Sequence, residues 1–220
     1  AQPDEALVSL DAFLSRLPAG VQIFSLFEAH PSLMDLMVDI CSTTPELARY
    51  LGRNAAVLDA VIGSDFYKPL RGPGELLAEL SEILDGIEDY ETKLNRARIW
   101  MKERHFRIGV HLLRDVAGAD EAAAAYSAVA EAVVGGILPD EFARRHGAAP
   151  GAGAAVAAMG KFGSREMTVS SDLDLIVIYD ADAAAVSDGK RPLAAPVYYA
   201  RMTQALIAAL TAPMADGVLY

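Results

Sequence analysis

Apolar side chains return every three or four positions through most of residues 1–146, the period of helices that each bury one stripe. Leu7, Leu10, Leu14 and Leu17 form the first stripe, and Pro18-Ala19-Gly20 predicts its end. Leu33, Leu36, Met37 and Ile40 form the next. Thr44 is placed to cap the helix after it, with Pro45 in the first turn, where a missing N–H costs nothing. Leu76, Leu77, Leu80, Ile83, Leu84 and Ile87 make a clean apolar face, and a longer one runs through Tyr90, Leu94, Ala97, Met101, Ile108 and Leu112. The alanine-rich stretch from Asp120 to Ile137 also predicts helix. About six to eight helices follow from these stripes, packed on one another because each has a single apolar face to cover. The chain has no internal repeat.

The pattern changes at Gly147. Residues 147–153 carry little side chain and no helical stripe, so they predict a boundary. Their glycines do not make a dinucleotide loop: Val156 stands where the third glycine belongs, and the run precedes its strand. A small-residue strand is predicted from Ala154 to Met159, then a polar turn. Ser171 to Tyr179 contains the best strand in the chain, β-branched and continuous at its end. A helix is predicted from about Val197 to Leu210, and Gly217-Val-Leu-Tyr220 reads as the start of another strand. The expected class is α+β. A helical region, residues 1–146, leads into a mixed-sheet domain, residues 154–220, that is incomplete at its end.

Composition narrows the functions. Of the 220 residues, 53% are hydrophobic and 22% charged, as in an ordinary globular protein. A formal net charge of −11 repels phosphate backbones and argues against general nucleic-acid binding. One cysteine, Cys41, allows no internal disulfide and suits a reducing compartment. No basic-then-apolar leader opens the chain and no uninterrupted apolar run is long enough to span a bilayer, so no membrane partner and a cytoplasmic location are expected.

The chemistry concentrates between Gly160 and Leu175. Asp172 and Asp174, two apart on an expected strand, leave the same face with Cα atoms about 6.6 Å apart. Two carboxylates that close repel by about 2.5 kcal/mol at an effective dielectric near 20. A divalent cation between them removes that cost, and oxygen-only ligands suit Mg²⁺ or Mn²⁺. Upstream, Gly163-Ser164 lies in a turn that can present a hydroxyl and backbone N–H groups to phosphate. It is no P-loop, because Ala155 replaces the first glycine and Phe162 follows Gly160-Lys161. The order of strand, Gly-Ser turn and acid-x-acid strand fits a site that holds a metal-bound triphosphate by position and charge. Lys161 and Arg165 are candidates to touch phosphate, or else ordinary surface cations. Glu166 reads as a partner for Arg165, and Asp180 as a turn residue.

Other candidates do not assemble. His30, His105, His111 and His146 lack metal-ligand spacing, and no paired nucleophile motif is present. Arg96, Arg98, Lys102, Arg104 and Arg107 lie among acidic residues and predict a solvated helix face.

Met-Gly-Lys-Phe-Gly-Ser-Arg-Glu-Met-Thr at 159–168 and Ser-Asp-Leu-Asp-Leu-Ile at 171–176 resemble the bacterial glutamine synthetase adenylyltransferase family, within the DNA polymerase β-like nucleotidyltransferases. Phe106-Arg-Ile-Gly-Val110, the Arg-His-Gly ending at 147, and Ala212 to Tyr220 extend the resemblance over nearly the whole chain. The family signature has two glycines where this chain has Gly163-Ser164. Arg165-Glu-Met-Thr168, Leu33 to Ile40 and Ala48 to Leu58 are similar to the family's C-terminal half. The resemblance implies transfer of AMP from ATP to a tyrosine of glutamine synthetase, with PII, the nitrogen-signalling protein, as regulator. It implies metal binding by Asp172 and Asp174 and phosphate contact at Gly163-Ser164. It also implies a third carboxylate beyond Tyr220, in a segment similar to Val-Asp-Met-Arg-Leu-Arg-Pro, and so weak catalysis by this chain alone. Two alternatives stay open: phosphorolytic removal of AMP, the family's opposite activity, and a non-catalytic helical interaction fragment.

Overall fold

The computed structural model describes residues 3–15, 25, 27–54, 57, 61, 63, 65–137, 140–213 and 218–220. Seven helices precede residue 147 among the described residues: α1 Pro3–Leu14, α2 Pro31–Thr43, α3 Pro45–Arg53, α4 Pro73–Leu84, α5 Tyr90–Leu113, α6 Ala119–Ile137 and α7 Asp140–His146. Strand β1 Gly153–Ala158, the short helix α8 Gly160–Gly163, strand β2 Leu175–Asp180 and helix α9 Ala195–Thr211 follow. The expected α+β class holds.

The chain forms two compact units, residues 1–70 with 106–118 and residues 71–105 with 119–220. Helix α5 therefore contributes to both, and the composition change at Gly147 falls inside the second unit.

In the first unit the stripe Leu33, Leu36, Met37 and Ile40 is buried as expected, with Leu51, Phe66, Phe106 and Val110 in the same core. Leu10 and Leu14 pack at its margin, whereas Leu7 is 67% exposed. Leu17 and Pro18 to Gly20 lie outside the described residues. Pro45 opens α3, but the Thr44 hydroxyl makes no cap: it donates back to the Ile40 carbonyl at 3.1 Å, satisfying the end of α2 instead. Gly109 lets α5 close on α3, since a Cβ there would stand 2.8 Å from Leu47 Cδ1. Arg107 donates to the carbonyls of Phe66 at 2.7 Å, Asp65 at 3.1 Å and Lys68 at 2.7 Å. His111 Nε2 stands 2.6 Å from the Phe66 carbonyl.

In the second unit α6 packs on α4. Gly136 makes room for Leu80, which would meet an added Cβ at 2.9 Å. Helix α6 buries Tyr126, Val129 and Val133 among alanines. Within Ala119–His146 an 18-residue window is apolar enough to cross a bilayer, but 69% of that window is buried within the protein, as core helices are.

The expected solvated arginine face is wrong for several of its members. Arg98 is fully buried and donates to the carbonyls of Ala209 at 3.3 Å and Ala212 at 3.0 Å. A cation there satisfies orphan carbonyls at the C-terminus of α9 and complements its dipole. Arg104 pairs with Glu79, which also accepts from Trp100 Nε1 at 2.9 Å and pairs with Arg71 at 2.6 Å. Burial pushes the Glu79 carboxyl up, but the Arg104 and Trp100 hydrogen bonds and the two arginine charges outweigh it and hold it below the ordinary range.

Strands β1 and β2 pair antiparallel, from Gly153 opposite Asp180 to Ala158 opposite Leu175. Among the described residues no parallel pairing makes the sheet mixed. Gly217 lies outside the described residues, and Val218 to Tyr220 form no strand. The Leu219 and Tyr220 N–H groups instead cap α9 by donating to Leu210 O at 3.1 Å. Residues 147–150 are tied to α9, with Tyr198 Oη donating to Gly147 O at 3.1 Å and Tyr199 Oη to Pro150 O at 2.6 Å.

Candidate functional site

The site grows from the connection between β1 and β2. After Ala158 the chain turns sharply: Gly160 takes φ 51° and opens α8. The left-handed region is open to glycine at little cost. Space also demands it, because a Cβ on Gly160 would run into the Asp174 carboxylate. Gly163 is equally confined, since a Cβ there would lie 2.6 Å from Ala158 O. Phe162 and Met167, both buried, anchor the turn from below.

The polar groups of the turn are mostly engaged within it. The Gly163 N–H donates to Met159 O at 2.8 Å and the Ser164 N–H to Gly160 O at 3.0 Å. Ser164 Oγ donates to Glu166 Oε2 at 2.7 Å. Hence Glu166 meets Ser164, whereas the sequence suggests Arg165 for it. Arg165 has φ 61°, unusual for a bulky residue, and its guanidinium stands 3.4 Å from Glu131 Oε2 on α6. Lys161 is exposed and makes no ion pair among the described residues. Beside the turn a cleft of about 310 Å³ is lined by Glu131, Val156, Phe162, Gly163 and Arg165.

Asp172 and Asp174 do not lie on the strand itself. Strand β2 begins at Leu175, and the two acids occupy the extended segment that leads into it. The Met159 N–H donates to Asp174 O at 2.8 Å, so the β pairing extends one step to Asp174. Exposure alternates from Asp172 to Ile178, with Leu173, Leu175 and Val177 half-buried between exposed neighbours. That period puts both acids on the exposed face, as the two-residue spacing requires. Neither carboxylate makes a side-chain hydrogen bond or ion pair among the described residues. Thr168 and Ser171 brace the loop ahead of them, through Thr168 N–H to Ser171 Oγ at 2.9 Å.

This donor set fits part of a hard-cation site. Two carboxylates with free lone pairs stand at one end of a turn, and Mg²⁺ is commonly held by one or two carboxylates together with water and substrate phosphate. No cluster of three His, Cys, Asp or Glu residues forms among the described residues.

Gly160 is the site residue that sequence reasoning passed over. Its signal was a glycine directly after a strand, the place where a chain must turn away from its own ladder. The histidines take no part: His105 is buried, and burial lowers its pKa to about 4.

Residues 34–220 match the family model for glutamate-ammonia ligase adenylyltransferase. The chain is 45% identical to a bifunctional glutamine synthetase adenylyltransferase/adenylyl-removing enzyme of Brucella melitensis, across 99% of this chain and 22% of the relative. It is 44% identical to the protein of that name from Mesorhizobium japonicum and 42% identical to that from Xanthobacter autotrophicus, with the same coverage. The chain thus spans about a fifth of the length of these relatives, 22% in each case.

Proposed function

This chain belongs to the glutamate-ammonia ligase adenylyltransferase family, and from that premise we propose that it carries the phosphate-facing part of an adenylyl-transfer site. The reaction is transfer of AMP from ATP to a tyrosine of glutamine synthetase. The observation that carries this reading is Asp174 against Gly160. The Asp174 carboxylate lies against Gly160 at the head of the turn, and Asp172 shares its exposed face.

In this reading Asp172 and Asp174 hold Mg²⁺ or Mn²⁺. Such an ion, when bound, would supply positive charge to the triphosphate and so ease departure of pyrophosphate. Lys161 and Arg165 stand closest in sequence to the turn and supply positive charge to phosphate oxygens. Gly163 and Ser164 shape the turn, their N–H groups being used inside it. Phe162 and Met167 hold the turn rigid, which matters because the chemistry depends on position more than on proton transfer. The buried, unpaired Cys41 suits a reducing compartment, and we place the reaction in the cytoplasm. The family resemblance adds PII as the regulatory partner.

The test supplies the chain with ATP labelled at the α-phosphate, Mg²⁺ and glutamine synthetase. Label on a glutamine synthetase tyrosine, lost in Asp174→Asn, is the expected result. ADP formed from adenylylated glutamine synthetase and phosphate, without forward labelling, would assign the reverse reaction. Equal labelling by wild type and Asp174→Asn would remove Asp174 from the site.

A further inference from the structure

Four cations separated widely in sequence meet in the second unit. Arg144, Arg145, Lys190 and Arg191 line an open groove of about 500 Å³, with Glu88 the one acid among its described lining residues. All four are exposed, in a chain whose formal net charge is −11.

The backbone holds the two basic pairs together. Arg144 and Arg145 sit in the last turn of α7, and Lys190-Arg191 at the tip of a loop closed by the Val186–Ala194 bridge. The Gly189 N–H donates to His146 O at 3.2 Å, and the Ala148 N–H to Asp188 Oδ1 at 2.7 Å. His146 Nδ1 lies 3.3 Å from Arg191 O. Gly147 and Gly189 approach so closely that a Cβ on either would strike the other segment's backbone. The groove is thus a fixed feature of the fold, built from two glycines and a carboxylate clamp.

We propose that this groove docks an acidic, carboxylate-rich segment of a protein partner. The geometry favours carboxylates over a phosphate ligand. The groove is open and its cations come from two separate segments, Arg144-Arg145 and Lys190-Arg191, so an extended anionic chain can reach both pairs. Long cations drawn from two segments of the chain suit several carboxylates along an extended partner. An isolated positive patch on a strongly acidic protein also orients an acidic partner before contact.

The experiment measures binding of a fluorescein-labelled polyglutamate peptide of about ten residues to this chain by anisotropy. Salt is raised from about 0.01 M to about 0.15 M, over which the Debye length falls from about 30 Å to about 8 Å. The expected result is saturable, salt-sensitive binding that weakens at least about tenfold in Arg145→Glu/Lys190→Glu/Arg191→Glu. Arg49→Glu/Lys68→Glu/Arg96→Glu changes net charge equally, touches no groove residue, and should keep affinity within about twofold. The milder Arg145→Gln/Lys190→Gln/Arg191→Gln should weaken binding as well, with an unchanged circular dichroism spectrum. Equal loss in the two glutamate triples would reduce the effect to net charge and overturn the proposal. So would inorganic tripolyphosphate that binds the groove while the peptide does not.

Discussion

The first unit and the β1–α8–β2 segment of the second differ in how fully their charged side chains are paired. In the first, Arg107, His111 and Arg114 all spend their donors on backbone carbonyls or on Asp39, around a core of large apolar side chains. In the second, the site segment has a thin apolar layer. Ile176 is 49% exposed and Ile178 58%, and Asp172, Asp174 and Lys161 stand without ion pairs among the described residues. The difference separates two jobs. Helices that bury one stripe each can hold a fold; a short antiparallel pair that leaves two carboxylates and a lysine unpaired is suited to hold a ligand.

The largest expected effect tests the first half of that contrast. Leu36 is 1% exposed at the centre of the helical core, so Leu36→Ala should destabilise the protein by about 2–5 kcal/mol. Ile178→Ala, on the exposed side of β2, should cost less than about 0.5 kcal/mol. Denaturant titration followed at a helical signal reads both. Similar losses from the two substitutions would mean that the strand pair is a structural core after all.

The second half is sharpened by Gly160→Ala. The new methyl meets the Asp174 carboxylate, and the φ of 51° costs a non-glycine residue about 1 kcal/mol or more. Nucleotide affinity should fall about tenfold or more while the unfolding midpoint moves only a few degrees. Unchanged nucleotide affinity would separate Gly160 from the site.

A separate effect appears on acidification. Burial lowers the His105 pKa from 6.5 to about 4, so the unfolded chain takes up a proton before the folded one does. Stability should therefore be fully present above about pH 6.5, decline as pH falls through the window to about 4, and level off below it. His105→Phe should flatten that decline in thermal unfolding. An identical slope in the variant would place the titration elsewhere.

The helical stripes were legible because burial repeats locally: Leu33, Leu36, Met37 and Ile40 carry their own period. The two strands and the acid spacing were legible for the same reason. Arg98 was not, because its role depends on the end of α9, more than a hundred residues away in the chain. In sequence it cannot be told from Arg96, two positions earlier, which does face solvent. Thr44 shows a subtler limit: the same hydroxyl can cap the helix after it or close the helix before it, and geometry decides. The division into units was hidden too, since α5 carries one unbroken apolar stripe through both. The basic groove needed the Gly147–Gly189 approach, which no linear pattern announces.

The central claim is that Asp172 and Asp174 hold a metal that brings ATP to the Gly160 turn. Its most direct test is ATP affinity of this chain by titration calorimetry, in Mg²⁺ and in a chelator, for wild type, Asp172→Asn and Asp174→Asn. Wild type should bind at least about tenfold more tightly with Mg²⁺, and both variants should lose that gain while keeping the same circular dichroism spectrum. An equal Mg²⁺ gain in wild type and both variants, or no gain in wild type, would contradict the assignment.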